Sequence, residues 1–228
     1  MEPAINSGGC SLLRGFEVDI FKLVSEEASP GQWAEWLRVP LDHAAAKGNL
    51  DLFTALLGAG AELGLGRPGL QGRTLLMAAV QGGNEEVVQA LLRAGATAEV
   101  DVESGDIFRT PLYVAAAGGA EAVAKRLLVA GADPNLVDTC TRRGALHLAA
   151  LNGHHRIIGD LVRHGALVNA RDEVGNTPLH LATYGGHALA ISTLLEGGAD
   201  SNMANLRAER RSTRLVSAIA LAWPNNFL

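Results

Sequence analysis

Aromatic residues, cysteines and long apolar runs are all scarce in this sequence. Phe, Trp and Tyr supply only 4% of the 228 residues, so Ala and Leu fill the apolar positions, which suits thin, closely packed helices better than a thick sandwich core. Cys10 and Cys140 lie far apart and predict free thiols in a reducing compartment. No apolar run approaches the ~20 residues of a membrane helix, and the acidic N-terminus does not resemble a signal peptide. We therefore expect a cytoplasmic or nuclear protein that does not engage a membrane.

Charge is neither extreme nor one-sided. The formal net charge is −5, which gives no electrostatic basis for nucleic-acid binding, and 48% hydrophobic residues exclude a wholly disordered chain. A basic cluster near the C-terminus has two interpretations: a nucleic-acid patch or localisation signal, and a solvated connection. Glu209 interrupts the cluster and the chain is acidic overall, which favours the solvated connection. The arginines of the cluster are Arg207, Arg210, Arg211 and Arg214.

The sequence motifs of common enzyme classes are missing. There is no Gly-Lys pair for a phosphate-binding loop, no G-x-S-x-G and no H-E-x-x-H. Residues 64–69 fit G-x-G-x-x-G, but a dinucleotide site needs that motif between a strand and a helix, and Pro68 would break the helix start. We therefore predict no catalytic residue, no cofactor and no enzymatic activity.

Seven histidines raise the question of a metal site. His147 and His180 are 33 residues apart, as are His154 and His187. The same spacing in both pairs indicates equivalent positions of a repeated unit. Such positions in stacked repeats are too far apart to share one ion with bonds of ~2 Å. The alternative is structural, with ring nitrogens bonding backbone groups in the turns, and we expect no metal.

The main positive feature of the sequence is a unit that occurs five times. Its clearest copy, residues 175–200, reads GNTPLHLATYGGHALAISTLLEGGAD. Each unit has an early leucine and, always 19 residues later, a closing glycine. Successive leucines are 35, 36, 34 and 33 residues apart, so the connections vary and the helical part does not. This pattern predicts a stacked array of helix pairs. The leucines are Leu41, Leu76, Leu112, Leu146 and Leu179, and the glycines are Gly60, Gly95, Gly131, Gly165 and Gly198.

The residues TPLHLA at 177–182 resemble the ankyrin repeat. Weaker copies are TPLYVAA at 110–116, GALHLAA at 144–150, TLLMAA at 74–79 and PLDHAA at 40–45. The resemblance covers most of the chain, from residue 40 to residue 204. It implies an all-α, ankyrin-like solenoid of helix–loop–helix repeats joined by short hairpins or loops. It also implies a protein-binding role and brings no catalytic residues with it.

The repeat register predicts how the chain is divided. A loose N-terminus and capping helices precede five repeats and a partial sixth unit, because solenoids need covered ends. Trp33 and Trp36 form either a ligand-stacking pair or a lid over the first repeat, and the lid is favoured. The partial unit is either an end cap or a sign of a longer parent protein or of a partner covering this end. The predicted segments are 1–15, 16–39, 40–68, 69–102, 103–137, 138–171, 172–204 and 205–228.

The sequence therefore predicts a monomeric, non-catalytic module that binds another protein through its concave face and hairpin tips. The alternative is a targeting or regulatory segment of a longer protein whose effector or catalytic part is absent from this chain. In arrays that resemble ankyrin, contacts come from hairpin tips and from the exposed end of each first helix. We expect docking across repeats three to five, centred on Leu151 and Tyr184. Transferred by register, the candidate partner-binding residues are Lys47, Arg73, Gln81, Phe108, Arg109, Arg142, Arg143, Leu151, Asn152, Glu173, Asn176 and Tyr184.

Overall fold

A computed structural model describes residues 37–58, 61, 63, 74–99, 101 and 109–205 of the chain. The chain divides into two compact units, residues 1–99 and 100–228. Ten α-helices and one 3-10 helix lie in the described ranges, with an isolated antiparallel bridge between Val137 and Gly144 and no β-strand there.

The first unit contains two helix pairs. The helices are α1 (Arg38–Lys47), α2 (Leu50–Gly58), α3 (Leu75–Gln81) and α4 (Glu85–Arg93), and a 3-10 turn at Ala96–Glu99 follows them. Helix α1 packs against α3, and each of these two also packs on its own partner. The first helices of the two pairs are therefore neighbours in the stack.

The second unit contains three helix pairs. These are α5 (Pro111–Gly118) with α6 (Glu121–Val129), α7 (Ala145–Leu151) with α8 (His155–Arg163), and α9 (Pro178–Tyr184) with α10 (Ala188–Glu196). Helix α7 lies between α5 and α9, and α8 lies between α6 and α10. First helices thus form one layer and second helices the other, which confirms the predicted all-α repeat fold.

Threonine and proline determine where the first helices begin. The Oγ1 atoms of Thr74 and Thr110 accept hydrogen bonds from the N–H groups of Met77 and Tyr113, both at 3.2 Å. Each threonine thereby satisfies one of the N–H groups that have no partner within the helix. Pro111 and Pro178 occupy the first helical position, where a missing N–H costs nothing.

The repeated leucines and alanines form the core. All five leucines of the register are buried, and the alanines of the first helices are buried beside them, as at Ala44, Ala79 and Ala149. Each buried leucine contributes roughly 1.5–3 kcal/mol relative to an exposed one. The small alanines allow the first helices of adjacent pairs to pack closely.

The glycines that close the second helices have the left-handed backbone conformation expected from the sequence. Their φ values are 101° at Gly95, 97° at Gly131, 87° at Gly165 and 89° at Gly198. A Cβ at Gly131 would meet no heavy atom within 4 Å, so the preference for glycine there comes from the backbone alone. Gly60 lies outside the described residues.

Adjacent helix pairs are joined at two edges by side-chain bonds to backbone. At the bend edge, between the two helices of a pair, Asn152 Nδ2 donates to Ala117 O at 3.1 Å and His187 Nε2 bonds Leu151 O at 2.9 Å. At the opposite edge, where each second helix ends, Asn135 Oδ1 accepts the Leu167 N–H at 2.8 Å. We call the two types bend bonds and asparagine bridges.

Several predicted features lie outside the described residues. These include the N-terminal segments up to residue 36 with Trp33 and Trp36, the G-x-G-x-x-G stretch, the arginine cluster and the partial sixth unit. Helix α1 begins at Arg38, slightly ahead of the predicted boundary at residue 40, and Leu37 at its N-cap makes no side-chain capping bond. The exact repeat boundaries remain predictions. None of the helices in the described ranges has the length and apolar character needed to cross a membrane.

Candidate functional site

The predicted binding residues lie in two parts of the repeat, the C-terminal end of the first helix and the connection that precedes that helix. Lys47 and Gln81 are exposed at the C-terminal ends of α1 and α3 in the first unit. In the second unit, Leu151 and Tyr184 end α7 and α9, and Asn152 follows α7. The remaining described candidates are in the connections that precede α5, α7 and α9, which we call the hairpin tips: Arg109, Arg142, Arg143, Glu173 and Asn176. Arg73 and Phe108 lie outside the described residues.

A buried carboxylate organises the tip before α9. Asp172 accepts hydrogen bonds from the N–H groups of Val174 at 3.0 Å and Asn176 at 2.7 Å. Arg143 Nε forms an ion pair with Asp172 Oδ2 at 3.1 Å, across from the preceding tip. Burial opposes ionisation of Asp172, but these bonds outweigh it and lower the pKa of the carboxyl group below its ordinary value. Arg143 therefore holds the two tips together. The Asn176 side chain is also engaged within the fold, because its Nδ2 donates to Asp172 Oδ2 at 3.3 Å and its Oδ1 accepts from Asn205 Nδ2 at 2.8 Å.

The tip before α7 is built in the same way. Asp138 Oδ1 accepts the N–H groups of Cys140 at 3.0 Å and Thr141 at 2.6 Å, and the Thr141 hydroxyl donates to Oδ2. Burial again opposes ionisation, and the bonds from Thr141 and Cys140 lower the pKa of Asp138. The two tips are linked because the Glu173 N–H donates to Thr141 O at 2.9 Å.

Arg109 lies over an aromatic ring at the start of α5. Its guanidinium carbon is 5.5 Å from the centroid of the Tyr113 ring, which is within the range of a cation–π interaction. Burial raises the pKa of the Tyr113 phenol, and the nearby Asp138 carboxylate raises it further. Tyr113 is thus a neutral, buried platform, and the Arg109 side chain remains exposed above it.

Tyr184 is the most exposed large apolar side chain of the described residues, at 89%. Gly185 follows it, and a Cβ at Gly185 would lie 2.9 Å from Leu151 O, so the chain passes close to the end of α7. Leu151 is half-buried and its carbonyl accepts the bond from His187. The structure therefore places Leu151 and Tyr184 at equivalent positions of adjacent, packed helices.

Leu189 belongs to the same edge and was not among the predicted residues. It lies in the first turn of α10, just beyond the bend after Tyr184, and is 65% exposed. The sequence could have identified Leu189, because it lies ten residues after Leu179, the register leucine of its unit. The upstream units have a polar or small exposed residue in that slot, namely Asp51, Glu86, Ala122 and Arg156.

Four histidine rings bond backbone groups, as the structural interpretation predicted for the turns: His147, His164, His180 and His187. His147 Nδ1 accepts the Gly144 N–H at 3.3 Å, and His147 Nε2 bonds Ala170 O at 3.1 Å. Burial lowers the pKa of His147, with an opposing effect from Asp172. Within the described residues no group of three or more His, Cys, Asp and Glu side chains is arranged to hold a metal ion.

Stacked helix pairs with this register define a class of repeat protein. The family model for ankyrin repeats in three copies matches residues 41–138 and 112–205. The chain belongs to the ankyrin repeat family.

Curated relatives agree with this assignment. The ankyrin repeat domain-containing protein SAT10 of Stachybotrys chartarum is 34% identical over 163 residues, which are 70% of this chain and 8% of that protein. The mouse B-cell lymphoma 3 protein homolog is 32% identical over 190 residues, covering 82% of this chain and 41% of that protein. Mouse protein phosphatase 1 regulatory subunit 27 is 43% identical over 61 residues, 27% of this chain and 40% of that protein. The chain thus spans less than half the length of each of these relatives.

Proposed function

We propose that this chain is a non-catalytic interaction module that binds another protein across its third to fifth repeats. The contact surface consists of the hairpin tips and the C-terminal ends of the first helices, centred on Leu151 and Tyr184. The single observation that carries the proposal is the exposure of Tyr184, 89%, at the end of α9. A partner that covers an aromatic ring of this kind buries roughly 150–250 Å².

The repeat register supports this choice of surface. The slot of Tyr184 is filled in upstream units by Ala46, Gln81, Ala117 and Leu151, so the large apolar and aromatic side chains in this slot are those of the fourth and fifth repeats. The core does not require the Tyr184 ring, because the ring lies outside it. Leu189 adds a second exposed apolar group to the same edge. Exposed apolar side chains that cluster at one edge are typical of protein–protein contact sites.

The second candidate is a targeting or regulatory segment of a longer protein. It is favoured by the coverage of the relatives, since the chain spans 8% of one and 41% of another. One shorter relative is named as a regulatory subunit of protein phosphatase 1. In both candidates the repeats bind a protein. The two candidates differ in whether an effector region is attached to the repeats. The sequence of the native transcript beyond Leu228 would distinguish the two candidates.

The test compares two double variants of matched chemistry in affinity capture from the native cell with mass spectrometry. Tyr184→Ala with Arg142→Glu removes the exposed ring and reverses one charge at a hairpin tip. Val129→Ala with Lys125→Glu makes the same kinds of change on α6, where Val129 is 74% exposed.

We expect the first double variant to lose the protein partners that the unchanged chain retains, and the α6 variant to keep them. Both should keep the helical circular dichroism signal, because all four side chains are outside the core. If the first variant stays folded and still retains every captured protein, the proposed surface is wrong.

A further inference from the structure

Arg142 has a backbone conformation that L-amino acids rarely adopt. Its φ is 54°, and among the described residues it is the one position other than glycine with a positive φ. The equivalent slot of the next tip holds Gly175, with φ 79°. Arg142 and Gly175 each precede by two residues the N-cap of the following helix, Gly144 and Thr177. Glycine fits this slot without strain, whereas arginine does not.

The fold makes no visible use of the arginine side chain. The Arg142 N–H donates to Asp138 O at 3.0 Å, a bond that any residue except proline would make. Its side chain is exposed, and within the described part of the chain no ion pair involves it. Arg143, by contrast, is committed to the carboxylate of Asp172. A strained backbone conformation at a residue whose side chain makes no internal contact is a feature that clusters at binding sites.

The surrounding charges indicate what Arg142 recognises. The carboxylates that organise the two hairpin tips, Asp138 and Asp172, are buried and accept several hydrogen bonds, so neither is available to it. Glu173 is exposed, and its backbone is bonded to that of Thr141. A guanidinium presents a fork of donors that matches a carboxylate in two parallel hydrogen bonds.

We propose that Arg142 binds a carboxylate side chain of the partner, so that the partner segment is acidic at the hairpin tips and apolar at Leu151 and Tyr184. A seven-residue helix such as α7 is about 10 Å long. An extended peptide spans this distance in about three residues. The segment therefore has an Asp or Glu about three residues from a large apolar side chain. This inference rests on the proposed function, because it assigns the chemistry of the partner at that same surface.

The experiment uses random dodecapeptides displayed on phage, selected on the full chain, and synthetic copies of the selected peptides measured by fluorescence anisotropy. We expect the selected peptides to be enriched in an acidic residue at that spacing from an apolar one. The decisive variant is Arg142→Gly, which relieves the backbone strain while it removes the guanidinium. It should bind the peptides about tenfold more weakly and melt at the same temperature as the unchanged chain or a few degrees higher.

Two further variants test the sign and the geometry of the contact. Arg142→Lys keeps the charge but loses the fork, so its affinity should fall between those of the unchanged chain and Arg142→Gly. Glu173→Gln removes an exposed negative charge beside the site and should bind the peptides equally well or more tightly. Peptides without acidic enrichment, full affinity of Arg142→Gly, or weaker binding by Glu173→Gln would each overturn the inference.

Tyr184→Ala separates this inference from the proposed function. If Tyr184→Ala weakens binding and Arg142→Gly does not, the surface stands and the carboxylate contact is wrong. If neither variant weakens binding, or if selection yields no peptide above background, both the surface and the contact are refuted.

Discussion

Glycine-to-alanine substitutions at three positions of the second unit distinguish destabilisation by backbone strain from destabilisation by steric crowding. Gly118 ends α5 without a positive φ, and a Cβ there meets nothing within 4 Å. Gly131 has equally open surroundings but a φ of 97°. Gly153 has a φ of 77°, and a Cβ there would lie 2.6 Å from His187 Nδ1. The three substitutions are chemically identical, so differences between them report local structure.

The expected stabilities follow from these surroundings. Gly118→Ala should stabilise the protein by up to about 0.5–1 kcal/mol, because alanine favours helix. Gly131→Ala should cost about 1–2 kcal/mol from left-handed strain alone. Gly153→Ala should cost that amount and about 1 kcal/mol more, because a displaced His187 ring loses its bond to Leu151 O.

Thermal unfolding monitored by circular dichroism provides the assay. For a chain of this size, 1 kcal/mol shifts the Tm by about 2–4 °C, so the three variants should be resolved in the order Gly118→Ala, Gly131→Ala and Gly153→Ala. Hydrogen exchange at Ile191 and its neighbours in α10 would show whether the effect of Gly153→Ala is local to the α7–α9 interface. Equal Tm values for Gly118→Ala and Gly131→Ala would refute the argument from backbone conformation.

Two further predictions concern polar groups of the same unit. Burial lowers the pKa of His147 from its ordinary value of 6.5, so the folded protein binds a proton there less readily than the unfolded chain does. The free energy of unfolding should therefore be highest above pH 6.5 and should fall as the pH drops below that value. His147→Gln should flatten the dependence of the free energy of unfolding on pH between about 7 and 5, and an unchanged slope would contradict the assignment. Asn135→Ala removes the bonds to the Leu167 N–H and to Gly165 O, and should cost about 1 kcal/mol. Hydrogen exchange of the Leu167 amide should accelerate in Asn135→Ala, and protection equal to that of the unchanged chain would show that the bridge is not formed in solution.

The repeated helix pairs could be predicted from the sequence because the same residue pattern occurs in five successive units. A single Thr-Pro pair or closing glycine is a weak indicator, but the constant interval from leucine to glycine determined the register of every helix pair. The left-handed conformation at Gly131 followed from that register and is confirmed. The structural role of the histidines was predicted in kind, although the partners of His147 and His187 were not.

The contacts between hairpin tips could not be predicted in the same way. The connection from Asp138 to Gly144 is one residue longer than that from Asp172 to Thr177, which obscures the correspondence between Arg142 and Gly175. In the sequence, Arg143 has the features of an exposed arginine without an ion-pair partner. Its pairing with Asp172 could not be predicted because it depends on the distance between two hairpin tips. Whether any of these residues binds a partner stays a prediction.

The bend bond from His187 has a consequence for the kinetics of binding. It attaches the start of α10 to the carbonyl of Leu151, and the asparagine bridge from Asn169 to the Asp200 N–H joins the same two helix pairs at their opposite edge. Adjacent repeats bonded at both edges cannot readily slide or twist against each other, so Leu151 and Tyr184 keep a constant separation before any partner arrives. A surface preorganised in this way avoids the free-energy cost of ordering on association. Differences in affinity among partners should then arise mainly from their dissociation rates.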